Sequence, residues 1–188
     1  MLRRVFITLI SAVVIGAAAI GLMLFAGSGA TTFRVVGSEL QISGVLNGAS
    51  PERFESLLDE NPGITTIVLG DVAGTTDITA TIALGYRVAS LQLNTAVGEG
   101  ANVQGDAVLL FLSGRIREIR PGGRLTLRDW GGSALPRTAS DHEERRHYVE
   151  EILGDDAFYW FTVETIGDQG VHQISPAEIE RYRLAAAG

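Results

Sequence analysis

The feature that most constrains this chain is the run Ile64–Gly70, ITTIVLG, bounded by Asn61, Pro62 and Gly63 on one side and a glycine-containing stretch on the other. It is apolar and β-branched, too short for a helix, and lacks polar alternation. That is the pattern of a strand covered on both faces, as happens in a parallel sheet with helices above and below. Helical patterns stand on either side of it. Ser50 is expected to cap the first, with Pro51 at its first position and Phe54, Leu57 and Leu58 as the buried stripe. The second, DITATIALGYRVASL, carries Ile78, Ile82 and Tyr86 at spacing four.

The alternation continues. TTFRVVGSELQISGVL (31–46) reads as a strand pair turning at Gly37 and Ser38. QLNTAVG returns as a strand. ANVQGDAVLLFLSG then gives a glycine loop and a short apolar helix over 107–112, and RIREI and RLTLRDW are strands about the turn 121–123. Regular alternation of this kind predicts an α/β domain with a mostly parallel sheet and flanking helices. The last third is helical. Ser140 and Glu143 form the pattern of a capping box for a charged helix over 141–153, which Gly154 ends. AFYWF opens a helix over 156–166, either a core helix or an arm for assembly. Ser175, Pro176 and Glu178 cap a third helix, with His172 in the turn before it.

Residues 1–30 are a separate unit. Arg3 and Arg4 precede an uncharged run from Val5 to Ala26, and at ~1.5 Å per residue that run crosses a ~30 Å hydrocarbon core. The arginines predict a cytoplasmic N-terminus, with an inner-membrane anchor and residues 31–188 in the periplasm of a bacterium. A cleaved signal peptide, ending at the small residues 28–30, is the alternative. Residues 31–188 hold thirteen arginines against 22 acidic residues. That balance opposes a nucleic-acid surface, which needs cations to neutralise phosphates.

Composition also narrows the chemistry. The chain has no cysteine and no lysine, so thiolate nucleophiles, thiolate metal sites, Ser–Lys dyads and Schiff-base lysines are excluded. HEERRH places His142 and His147 five residues apart, about 140° around a helix, where a zinc-protease helix needs four. They read as solvated helix residues, and no metal or cofactor is expected. GDVAGTT (70–76) follows the buried strand and precedes a helix, a place where main-chain N–H groups receive an anion, but it fits neither phosphate-loop nor dinucleotide spacing. GGSAL is not a nucleophile elbow.

In order, NPGITTIVLGDVAG, TIALGYRVASLQLNT, GDAVLLFLSG and PGGRLTLRDW, with the closing ISPAEIERY, resemble the ClpP/crotonase-like superfamily, and most its exported branch of ClpP-like periplasmic proteins. The resemblance spans about residues 44–127. It implies an oxyanion-forming turn after the buried strand, of which Gly74 remains. It places the nucleophilic serine at Gly105 or Asp106 and the histidine base at Arg128. Glycine offers no side chain, and a guanidinium stays protonated and accepts no proton. The resemblance thus implies a catalytically inactive domain acting in binding or assembly, with a homo-oligomer or protein partner. Gly74 and Gly105 are expected to meet across one cleft, and Asp106 to pair with Arg128. The alternative is an active serine hydrolase using Ser133 or Ser140 with His142 or His147.

Overall fold

The computed structural model describes residues 30–166 and 170–185. The segment over 1–30 expected to be an anchor or signal lies outside them except for its last residue. Among the described residues no helix is long and apolar enough to cross a membrane.

The expected hairpin is present: β1 (Thr32–Val36) runs antiparallel to β2 (Glu39–Leu46) about Gly37 and Ser38. β2 pairs in parallel with β3 (Thr66–Thr75), the strand foreseen in ITTIVLG, whose Ile67, Val68 and Leu69 are buried. β3 is the fork of the sheet. Its first half, Thr66–Leu69, pairs with β4 (Asn94–Val97), which pairs with β6 (Arg117–Ile119). Further on, Val72 pairs with Val103 of β5 (Asn102–Gln104), which pairs with β7 (Arg124–Arg128). An antiparallel edge strand, β8 (Val171–Gln173), lies on β7. Five of the seven pairings are parallel, as the alternation predicted.

Helix α1 (Ser50–Glu60) buries Phe54 and Leu57. Helix α2 (Ile78–Ser90) is capped by Asp77, whose carboxylate accepts the Ala80 N–H at 2.9 Å. Every residue of α3 (Ala107–Leu112) is buried. A six-residue helix without a polar face can exist only in the interior, and it draws its stability from packing rather than propensity. Over it lies α4 (Glu143–Leu153), ended by Gly154 in the left-handed conformation. α5 (Ala157–Ile166) buries Phe158 and Tyr159, with Trp160, Phe161 and Val163 packed against the core. It is a core helix rather than a free arm. α6 (Pro176–Arg181) has the predicted capping box of Ser175 and Glu178.

Several local expectations are corrected. Ser50 is the first residue of α1, and its hydroxyl accepts the Asn47 N–H while Asn47 Oδ1 accepts that of Ala49. Ser140 is no cap: residues 140–142 make a 3-10 turn, and α4 starts two residues late, at Glu143, with no side-chain cap. The extra turn carries His142 into the interior, where burial beside the aromatic side chains outweighs the capping pattern. His172 sits in β8, 3.0 Å from Glu178. GDVAG is not a turn, because β3 runs on through Thr75.

Candidate functional site

Gly105 and Asp106 stand where β5 ends and α3 begins. Gly105 has φ +56°, a left-handed conformation that side-chain-bearing residues rarely adopt. Its N–H donates to Thr126 O at 2.8 Å, tying the loop to β7. That brings it against Arg128, whose Cβ is 3.8 Å from where a Gly105 Cβ would stand. Gly74, at φ +129° in β3, would place a Cβ 3.8 Å from the carbonyl oxygen of Gln104, the residue before Gly105. The two glycines therefore meet on one side of the sheet, as expected where neighbouring parallel strands end.

The expected ion pair is not formed with Arg128. Arg128 is exposed and donates from Nε and Nη2 to Gln104 Oε1, at 2.9 and 2.8 Å. The partner of Asp106 is Arg145 of α4, which donates from Nε at 3.0 Å to Oδ1 and from Nη2 at 2.7 Å to Oδ2. This is the bidentate geometry that a guanidinium makes with a carboxylate. The Arg145 and Asp106 side chains are only 14% and 18% exposed. The guanidinium also lies 4.1 Å from the centre of the Trp130 ring, within cation–π range. Arg145 wins because α4 presents it inward, whereas Arg128 leaves β7 on its exposed side.

Beside them is a cavity of ≈ 30 Å³ bordered by Gly105, Asp106, Leu109, Arg128, Trp130 and Arg145. That is room for about one water. An extended peptide or an acyl chain does not fit a volume of that size.

His142, expected to be a solvated helix residue, is buried instead. It is 1% exposed, with Nδ1 2.5 Å from the Tyr159 hydroxyl and its ring edge-on to Trp130. Its Nε2 has no hydrogen-bond partner among the described residues. Burial pushes the Tyr159 phenol above its ordinary value, so its hydroxyl keeps its proton near neutral pH. One signal was available: His142 precedes Arg145, Val149 and Ile152 of α4 at helical spacing, in line with their face. His147 is solvated as expected, 3.3 Å from Glu151.

Neither serine meets either histidine through a hydrogen bond among the described residues. Ser133 Oγ donates to Asp129 Oδ2 at 2.7 Å. Partial burial pushes the Asp129 carboxyl up, but the Ser133 hydroxyl and the N–H groups of Gly131, Ser133 and Gly132 hold it below the usual range. A carboxylate so stabilised is a poor base. Ser140 is exposed. Among the described residues no three His, Asp or Glu side chains gather to hold a metal ion.

No family model matches the chain, and no curated protein does. Solved structures do resemble it. A mutant of a membrane-bound stomatin-specific protease, 1510-N, is 14% identical with a TM-score of 0.54, over 77% of this chain and 75% of that one. An enoyl-CoA hydratase/isomerase family protein from Silicibacter pomeroyi is 14% identical with a TM-score of 0.54, over 84% and 74%. An enoyl-CoA hydratase from Bacillus anthracis is 14% identical with a TM-score of 0.53, over 82% and 68%. The fold is the ClpP/crotonase-like one.

Proposed function

We propose that this chain is a membrane-anchored, periplasmic ClpP-like domain that has lost hydrolysis and acts in binding or assembly. The observation that carries the reading is the mouth of α3. The position expected to hold a nucleophile is Gly105, its neighbour Asp106 is held by Arg145, and the cavity beside them takes about one water. A hydrolase needs a nucleophile and a base within hydrogen-bond reach, plus space for the carbonyl under attack. Arg128 supplies no base. Fold relatives fit the same picture: the stomatin-specific protease is described in two mutants, one of a serine and one of a lysine, and this chain has no lysine.

Serine-directed fluorophosphonate probes test it. The purified chain is expected to remain unlabelled at concentrations that label an active serine hydrolase to completion. Stoichiometric labelling that disappears in Ser133→Ala or Ser140→Ala would overturn the reading in favour of a serine hydrolase.

The anchor has its own test. The protein is expected to stay with membranes through high-salt and carbonate washes, and C-terminal reporters to be active only outside the cytoplasm. A soluble mature chain starting near Thr31 would replace the anchor with a signal peptide.

A further inference from the structure

Where the sheet forks, its limbs leave a groove of ≈ 1010 Å³, bordered by β6 and the turn 121–123 on one side and by Leu125, β8 and α6 on the other. Its apolar lining includes Ile116, Ile119, Ile174 and Ile179. Ile116 is 50% exposed, the most exposed large hydrophobic side chain among the described residues.

β6 borders this groove and pairs only with β4 among the described residues. Ile116 O accepts the Thr95 N–H, and the Arg120 N–H donates to Val97 O. These bonds mark residues 116 and 120 as facing β4. Main-chain groups alternate in direction along a strand, so Arg117 and Ile119 direct theirs away from it. An edge of this kind is a template for another strand.

The groove is also basic within an acidic domain. Four arginines border it, against Glu118 and Glu180. Arg120 is neutralised by Glu39 at 2.6 Å. Among the described residues the Arg124 guanidinium donates only to Gly122 O, at 3.4 Å. Arg117 binds main-chain carbonyls, those of Leu184 at 2.7 Å and Arg183 at 2.9 Å among them, and burial lowers its pKa. Neither Arg117 nor Arg124 has a carboxylate partner among the described residues. Arg183 is 79% exposed and reaches Asp155 only at 3.7 Å.

We propose that the groove docks an extended segment of a partner protein, added as a strand along β6, whose apolar residues alternate with acidic ones. Its apolar side chains lie against the isoleucines, and its carboxylates meet Arg124 and Arg183. Strand addition supplies affinity through main-chain bonds, and the alternate side chains supply selection. Nothing in this inference depends on whether the cleft at Gly105 is catalytic.

Two fluorescein-labelled, end-blocked hexapeptides test it against the full chain by anisotropy: one alternates glutamate with valine, the other lysine with valine. The glutamate peptide is expected to bind at least tenfold more tightly, and Arg124→Glu with Arg183→Glu to reverse that order. Hydrogen–deuterium exchange is expected to show new protection over residues 116–120, and N-methylation of alternate peptide residues to abolish it. Both arginines are exposed, and if the double variant misfolds, Arg124→Glu alone carries the test. Equal affinity for both peptides, protection confined to other segments, or no binding at millimolar peptide would overturn the proposal.

Discussion

Asp106→Ala is expected to lower the unfolding free energy by about 2–4 kcal/mol, against roughly 0.5 kcal/mol for an ordinary surface substitution. The reason is the burial of its partner. With Asp106 gone, the Arg145 guanidinium remains mostly shielded beside Trp130, without the carboxylate that offsets its lost hydration. Removing one member of a buried pair costs far more than the pair is worth, because it strands the other charge. Arg145→Ala is expected to cost a similar amount. Asp106→Ala combined with Arg145→Met is expected to cost less than the sum of the single changes by about 1–3 kcal/mol, since the stranded charge is then absent. Arg128→Ala is the control: its guanidinium is exposed and bonds one amide oxygen, so the change should stay within about 0.5 kcal/mol. Denaturant midpoints at constant slope provide the measurement. An Arg128→Ala cost matching that of Asp106→Ala, or strict additivity of the pair, would refute this account of the cleft.

That contrast shows where reasoning from sequence stops. ITTIVLG, the Pro51 helix and the Gly37 turn were legible because strand burial, proline geometry and glycine turns act within a few residues. The meeting of Gly74 with Gly105 was legible too, because adjacent parallel strands end on one side of a sheet. The partner of Asp106 was not, because Arg145 lies 39 residues away in a helix that looks uniformly charged. What betrays it is register. Arg145, Tyr148, Val149 and Ile152 share one face of α4, and an arginine on a helix's apolar stripe must have a buried acceptor. Periodicity can show that such an acceptor exists without identifying it. GDVAG was misread for a related reason. Its glycines suggest a turn, yet β3 continues through them while changing partner from β4 to β5, a long-range event with no local signature.

Gly85→Ala is expected to destabilise the domain by about 2–3 kcal/mol, although alanine is the better helix former by ~1 kcal/mol. Gly85 lies where α2 meets Tyr148 of α4. A methyl group there would overlap the Tyr148 hydroxyl and stand 2.8 Å from its Cζ. The ring cannot swing aside. Tyr148 is 0% exposed, its hydroxyl donates to Leu109 O at 2.9 Å, and Tyr86 packs edge-on at 5.0 Å. Burial also pushes its phenol well above the ordinary value, so ionisation gives no relief near neutral pH. Overpacking a rigid core typically costs ~1–3 kcal/mol, and losing the hydroxyl's bond adds about 1 kcal/mol, against the gain in propensity. In a domain of this size that is a fall of roughly 5–10 °C in Tm. Tyr148→Phe should cost about 1 kcal/mol alone and less in the Gly85→Ala background, because it removes the atom that overlaps the new methyl most. Local propensity and tertiary packing thus predict opposite signs for one substitution. A Gly85→Ala protein that melts higher than the parent would show α2 and α4 standing further apart than Tyr148 requires.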